Sequence, residues 1–210
     1  MIVDNFDILK DFVKQSCFEQ GIDFDSDPDS YYEIRIMTRN KDFGETGHNK
    51  DFVFTYHVYK LSDLDMYKDN VIQLCDLFNG RAYFSICRKS IKRVLLKCNI
   101  EIAKCLASGA NAKAWKVVER ISNSDYGSKD RKWVIDVDTK ESSYIRYILK
   151  TIKELGGKYY CEVPTPHGLH IISSPFRLDE YKKRLNLDKK QFSDIKKNHL
   201  TLLYANLQEV

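Results

Sequence analysis

Residues 131–207 alternate between strand-like and helix-like segments, and this order limits the possible folds more than any other feature. The strand-like segments are rich in β-branched and aromatic residues, whereas the helix-like segments place apolar residues three or four positions apart. Glycines end the first helix-like segment, and prolines separate the two central strands. In chain order we predict a strand at 131–138, a helix at 142–155, strands at 158–163 and 167–174, a helix at 178–197 and a strand at 199–207.

This β-α-β-β-α-β order predicts an α+β protein whose second half is RRM-like, also called ferredoxin-like. The first half predicts an additional N-terminal α/β lobe, and the polar loop at 123–130 is the expected boundary. We therefore expect an N-terminal lobe over 1–122 and an RRM-like half over 123–210, either as two lobes or as one compact domain. The lobe's predicted elements are helices at 6–19, 62–78 and 89–107 and strands at 31–39, 51–60 and 81–87, with a polar loop at 40–49.

Composition excludes several classes of protein. The 210 residues include 34 Lys+Arg and 30 Asp+Glu, a net charge of +4, and 43% are hydrophobic, which excludes a disordered or collagen-like chain. No apolar run reaches the ~18 residues of a membrane span, and the acidic N-terminus is unlike a signal peptide, so we expect a cytoplasmic protein without membrane contact. The six cysteines form no CxxC pair, which favours buried free thiols over a zinc site or disulfides.

Two acids mark the strand at 131–138. Asp136 and Asp138 are two residues apart, so both side chains project from one face, roughly 7 Å apart along the strand. Such a pair is unfavourable in a strand unless a cation lies between the carboxylates, and Mg²⁺ or Mn²⁺ prefers their oxygens. The alternative is that the strand ends in solvent and Asp138 belongs to the cap of the next helix.

A histidine marks the strand at 167–174. Gly168 and His170 share one face of it, and a glycine beside a histidine leaves room for a ligand phosphate that the imidazole could bind. The alternative is a half-buried histidine that hydrogen-bonds to the backbone. In a β-α-β-β arrangement this strand can lie near the strand of Asp136, which favours a shared site.

These sequences resemble motifs of the archaeo-eukaryotic primase (primase-polymerase) superfamily. WVIDVD at 133–138 is similar to its first motif, and the small-x-His sequence at 168–170 is similar to its second. The 34 residues between Asp136 and His170 are similar to the spacing in compact plasmid and phage members. Asp194 offers the acid of the third motif, although Ser193 stands where the family has a hydrophobic residue. The resemblance covers roughly residues 80–205.

The resemblance implies a metal-dependent nucleotidyltransferase that acts on nucleic acid and nucleoside triphosphates. It implies single-stranded nucleic acid as a partner, and a helicase in trans if duplex must be opened. Asp136, Asp138 and His170 would be catalytic, and Asp136, Asp138 and Asp194 would bind Mg²⁺ or Mn²⁺. The residues expected at the incoming nucleotide are His170, Gly168, His167, Ser173 and Lys140.

A second group of residues predicts contact with the nucleic acid. Arg81 and Tyr83 share one face of the strand at 81–87, where charge and stacking could hold a template strand. The next helix opens with Arg88, Lys89, Lys92 and Arg93. Cations at a helix N-terminus oppose its dipole, so a bound phosphate would relieve a local cost. The alternative is an ordinary solvent-facing edge of a sheet.

Two other functions fit the same residues. One is a non-catalytic accessory protein that binds nucleic acid or nucleotide on the same scaffold. The other is a metal-dependent nuclease that uses the same carboxylates.

Overall fold

The structure is a computed structural model. It describes residues 1–38, 52–122, 124, 126–187, 193–197 and 200–207. The loop predicted at 40–49 therefore lies outside the described residues.

Within these residues the chain is a mixture of helices and antiparallel strands, so the predicted α+β class is confirmed. The helices are α1 Phe6–Phe18, α2 Leu61–Phe78, α3 Ile91–Ala107, α4 Asn111–Ala114, α5 Val117–Ser122, α6 Ser142–Glu154 and α7 Leu178–Leu187. The strands are β1 Ile2–Asp4, β2 Ser30–Met37, β3 Phe52–Val58, β4 Arg81–Ser85, β5 Lys89–Ser90, β6 Trp133–Val137, β7 Tyr159–Pro164, β8 Leu169–Ser173, β9 Ser193–Lys197 and β10 Leu200–Asn206.

The first sheet has the strand order β1-β10-β4-β2-β3, and the short β5 pairs with β2. Helices α1 and α2 cover one face, where Tyr32 and Phe84 stack at 5.3 Å between ring centroids. Helices α3 and α5 pack on the opposite face against Tyr31. The alternation of Tyr31 and Tyr32 along β2 thus sends two neighbouring aromatic rings into two different hydrophobic clusters.

The second sheet has the strand order β7-β8-β6-β9, and every neighbouring pair is antiparallel. Helices α6 and α7 cover one face, on which Ile135 and Val137 are fully buried. From the opposite face Val134 and Ile172 enter the core of the first sheet beside α1. The two sheets therefore share one hydrophobic core, and the polar ends of β6 and β8 lie at the margin of that core.

Two predictions about the C-terminal part are wrong. The strand predicted at 199–207 exists as β10, but it pairs with β4 and β1 in the first sheet. The outer place in the second sheet is taken by β9, at residues that were predicted to be helical. The C-terminal strand thus belongs with the sheet of the N-terminal lobe, because strand pairing depends on distant partners that a local pattern does not specify.

The predicted burial of the cysteines is found for four of the six, and Cys105 and Cys161 are partly exposed. All six are free thiols. Burial, aided by the negative charges of Asp76 and Glu162, raises the pKa of Cys75 and of Cys161 to about 12. In the described part of the chain no helix is both long and apolar enough to cross a membrane.

Candidate functional site

The pocket that contains the predicted acids and histidine lies between the two sheets. It has a volume of about 280 Å³ and opens at the margin of the shared core. Both sheets and the turn between β7 and β8 contribute to its wall. The lining residues are Arg81, Tyr83, Asp136, Asp138, Thr165, Pro166, His167, His170, Lys196, Leu200 and Leu202.

Asp136 and His170 form the centre of this site. They lie directly opposite each other on β6 and β8, and His170 Nε2 is 3.2 Å from Asp136 Oδ1. His170 Nδ1 is 2.9 Å from the hydroxyl oxygen of Thr201 on β10. A neutral ring that donates from Nε2 to Asp136 accepts at Nδ1 from this hydroxyl. His170 therefore links the two sheets, and because Thr201 is fully buried, its hydroxyl orients the ring and is not an accessible nucleophile.

Lys196 is a member of the site that the sequence did not reveal. Its Nζ is 2.5 Å from Asp136 Oδ2. The prediction of one helix over 178–197 hid this residue among other lysines, whereas β9 places it beside β6. The signal that could have found it is the alternation of Asp194 and Lys196, which puts both side chains on one face of a strand.

Asp194 is brought next to Asp136 by the same pairing. Asp194, Asp136 and His170 are directly opposite one another on three adjacent strands, so they form a row on one face of the second sheet. Asp194 itself is exposed and is not among the residues that line the pocket. Asp194 is thus a third acid, after Asp136 and Asp138, and its strand is the neighbour of the strand of Asp136.

The charge of Asp136 is strongly stabilised. Its burial by itself would raise the pKa, but hydrogen bonds from His170 and Lys196 and the positive charge of Lys196 outweigh this effect. The net result is a pKa well below the usual value for an aspartate. Asp136 is therefore an ionised, half-buried carboxylate that faces a pocket, and both of its oxygens have protein partners.

The donor set fits a divalent cation that is shared with a substrate. Asp138 lies just beyond the end of β6, is exposed and lines the pocket with Asp136. No group of three or more His, Cys, Asp or Glu side chains among the described residues is placed to hold one metal ion. Mg²⁺ is commonly bound by only one or two carboxylates together with substrate phosphates. Asp136 and Asp138 match that pattern in number and in chemistry.

The turn before β8 explains Gly168 differently from the sequence prediction. Thr165 N–H donates to the Gly168 carbonyl at 3.0 Å, and Gly168 N–H donates to Thr165 Oγ1 at 3.1 Å. A Cβ atom on Gly168 would lie 1.9 Å from the Val137 carbonyl oxygen. The space beside Gly168 is thus filled by the backbone at the end of β6, and glycine is needed for that contact. His167 is exposed on the same turn and lines the pocket.

Two residues predicted at the incoming nucleotide lie elsewhere. Ser173 is fully buried on the face of β8 that Ile171 directs toward α6 and α7, opposite to the face of His170. Residues three apart in a strand point to opposite faces, which places Ser173 away from the pocket. Lys140 is exposed and is not part of the pocket wall.

The residues predicted to contact nucleic acid fall into two groups. Arg81 and Tyr83 on β4 line the pocket beside the acids. Arg88 and Lys89 are instead buried in ion pairs, where Arg88 Nη1 is 3.0 Å from Asp27 Oδ2 and Lys89 Nζ is 3.0 Å from Glu33 Oε2. Both cations are enclosed by the fold, so we leave them out of the proposed interface.

The start of α3 also finds its negative partner within the chain. Lys92 and Arg93 are exposed there. Asp29 accepts a hydrogen bond of 2.7 Å from the Lys92 backbone N–H, and the Ser90 hydroxyl caps the Arg93 N–H at 3.1 Å. The local cost that a bound phosphate was expected to relieve is therefore offset by Asp29.

Comparison with known proteins gave no significant match to a family model, to a characterised protein or to a solved structure.

Proposed function

We propose that this chain is a metal-dependent nucleotidyltransferase of the primase-polymerase type that uses nucleoside triphosphates and single-stranded nucleic acid. The observation that carries the proposal is the contact of 3.2 Å between Asp136 and His170, which are 34 residues apart in the sequence. Asp138 lines the same pocket. These are the acid and histidine positions on which the resemblance to the primase-polymerase superfamily rests.

The topology around these residues supports the proposal. The order β7-β8-β6-β9 with antiparallel neighbours is the order expected for an RRM-like sheet built from a β-α-β-β-α-β unit. The two acid and histidine motifs occupy its central strands, β6 and β8. Asp194, the candidate for the third acid, is directly opposite Asp136 on β9.

The charges around the pocket suit a triphosphate bound with a metal ion. Two carboxylates, Asp136 and Asp138, share the wall with Arg81 and Lys196. Carboxylate oxygens are ligands for Mg²⁺ or Mn²⁺, and charged donors such as arginine and lysine are typical partners of phosphate oxygens. A pocket with both signs of charge can therefore accept a ligand that also carries both.

Each side chain has a part in the proposed reaction. Asp136 and Asp138 would hold the metal, which when bound lowers the pKa of an attacking 3′-hydroxyl and neutralises charge on the leaving pyrophosphate. His170, fixed by Thr201, orients Asp136. Arg81 balances the negative charge of the triphosphate, while Leu200 and Leu202 form an apolar wall on one side of the pocket.

The face of the first sheet that carries Arg81 and Tyr83 supports a path for the template. Tyr83 lies opposite Arg35 of β2, and α3 and α5 pack farther along that face. Residues 91–122 contain seven Lys or Arg and two Glu, a net charge of +5 in a chain whose total is +4. A single strand leaving the pocket over Tyr83 would meet stacking and positive charge in succession.

Primer extension tests the proposal. Purified protein, a labelled primer on a single-stranded template, Mg²⁺ or Mn²⁺ and either ribo- or deoxyribonucleotides should give extended products. Asp136→Asn should reduce extension on the order of 100-fold, as loss of a metal-site residue commonly does. Asp179→Asn, an exposed position on α7, is the matched control and should extend normally.

Three results would contradict the polymerase proposal. Extension that Asp136→Asn leaves unchanged would remove the carboxylate from the reaction. Metal-dependent loss of the template without extension would indicate the nuclease. Metal-independent binding of nucleic acid that persists in Asp136→Asn, again without extension, would indicate the accessory protein.

A further inference from the structure

Both oxygens of Asp136 are already bound by groups of the protein. His170 Nε2 contacts Oδ1 at 3.2 Å, and Lys196 Nζ contacts Oδ2 at 2.5 Å. A divalent cation that binds this carboxylate would lie within a few ångströms of the Lys196 ammonium, and the repulsion between the two positive charges favours displacement of the lysine.

Lys196 is the partner that is free to leave. His170 is held on its other nitrogen by Thr201 and is only 8% exposed. The Lys196 side chain is 34% exposed, lines the pocket and extends from β9, which is the outermost strand of its sheet among the described residues. A lysine carries its charge on a flexible four-carbon chain, so the ammonium can move by several ångströms without any change in the backbone.

A displaced ammonium can still reach a ligand bound in the pocket, because Lys196 lines it. Asp136, Asp138 and Arg81 all line the same cavity of about 280 Å³. A triphosphate is the ligand class that could hold the released cation, since lysine binds phosphate oxygens as a compact point charge. Asp138 alone could also receive it, but that carboxylate is one of the groups expected to hold the metal.

We propose that Lys196 is an exchangeable counter-ion, which neutralises Asp136 when no metal is bound and transfers to the nucleotide phosphates when a divalent cation takes its place. The second half of this statement rests on the proposed function. The exchange links the two ligands, because metal binding releases the cation that the phosphates need and phosphate binding removes the cation that competes with the metal. Metal and nucleotide should therefore each raise the affinity for the other.

Replacement of the Lys196 ammonium tests separately its competition with the metal and its contact with the nucleotide phosphates. In Lys196→Met the competitor is gone, so Mn²⁺ should bind about 5- to 10-fold more tightly without nucleotide. A non-hydrolysable triphosphate, added with Mn²⁺, should bind more weakly by a similar factor. Electron paramagnetic resonance measures free Mn²⁺, and calorimetry measures nucleotide binding, so neither measurement requires turnover.

The neighbouring lysine provides a matched control. Lys197 is exposed on the opposite face of β9, with its Nζ 5.5 Å from the Trp133 ring centroid. Lys197→Met makes the same change in net charge and should leave both affinities as in the unchanged protein. Lys196→Gln serves the same test if Lys196→Met does not fold, which a thermal unfolding curve shows beforehand.

The results separate this inference from the proposed function. Mn²⁺ affinity that is equal in Lys196→Met and Lys197→Met would overturn the exchange even if the protein extends primers. Tighter Mn²⁺ binding without any loss of nucleotide affinity would also overturn it, since the transfer would not occur. Absence of primer extension by the unchanged protein would defeat the polymerase proposal without altering the Mn²⁺ comparison.

Discussion

Two clusters of charge in this molecule have the same ingredients and different surroundings. In the closed cluster, Glu33 on β2 pairs with Lys89 and Arg35, and Lys89 Nζ lies 3.0 Å from its carboxylate. In the open cluster, Asp136 on β6 pairs with His170 and Lys196. In each, one acid pairs closely with two groups that can carry positive charge, and in the closed cluster His57 Nε2 lies farther out, 4.0 Å from Glu33 Oε1.

The difference lies in what covers each acid. Glu33 is fully buried, and both of its cations also donate to the Ser122 carbonyl at the end of α5, which closes over them. Asp136 faces a pocket instead. A charged cluster that is sealed can only stabilise or destabilise the fold, whereas one that opens on a cavity can exchange a protein partner for a ligand. Access therefore distinguishes the candidate site better than charge does.

The largest expected effect comes from neutralising the two acids in turn. Glu33→Gln leaves two enclosed cations without their counter-charge, so the free energy of unfolding should fall by about 3–5 kcal/mol. Asp136→Asn should lower it by less, about 2 kcal/mol, because Lys196 can turn toward water once its partner is neutral. Urea unfolding followed by circular dichroism measures both values.

The exposed control Asp179→Asn should change stability by no more than about 0.5 kcal/mol. Equal losses for Glu33→Gln and Asp136→Asn would break the distinction between the clusters, and Asp136 would then be a structural residue.

Alternation along single strands made the centre of the site predictable. Trp133, Ile135 and Val137 face the helices, which leaves Asp136 on the other face. The same period of two placed His170 on the face away from Ile171. The same alternation also places Ser173, three positions from His170, on the face of Ile171.

Contacts between distant segments were not predictable from local patterns. Lys196 and Arg88 are both basic residues in basic stretches, yet Lys196 forms an ion pair with Asp136 and Arg88 forms one with Asp27. Their partners are 60 and 61 residues away in the chain. Nothing in the nearby sequence indicates which distant acid will neutralise each of these cations.

A smaller effect is expected from the hydroxyl that fixes His170. Thr201→Val keeps the shape of the side chain but removes the partner of His170 Nδ1, so stability should fall by about 1 kcal/mol. Primer extension should fall as well, since the ring that orients Asp136 loses its anchor. Urea unfolding and the extension assay measure the two effects.

Thr201→Ser keeps the hydroxyl but removes one buried methyl group. It should retain the extension activity that Thr201→Val loses. If the valine and serine variants extend primers equally well, the Thr201 hydroxyl has no part in the site and the open cluster ends at His170.

A further comparison concerns acid sensitivity, between Asp136 and Asp27, the partner of Arg88. Partial burial would raise the pKa of Asp27, but hydrogen bonds from Ser30, the Asp29 N–H and Lys129 outweigh it and lower the pKa to about 2. The pKa of Asp136 is lowered further. A lowered pKa contributes stability above the unfolded value of about 3.9, and this contribution is lost as pH falls toward the folded value. Between about pH 4 and 2, Asp27→Asn and Asp136→Asn should therefore each flatten the dependence of unfolding free energy on pH, by at most about 1.4 kcal/mol per pH unit.

Added Mn²⁺ sharpens this last comparison. Mn²⁺ at pH 6 should stabilise the unchanged protein and the Asp27→Asn variant alike, because a ligand that binds only the folded state raises the free energy of unfolding. The Asp136→Asn variant should gain little, since its metal-binding carboxylate is gone. Urea titrations with and without Mn²⁺ measure the gain. Equal stabilisation of all three proteins would place the metal away from Asp136, and the open cluster would then resemble the closed one in being structural.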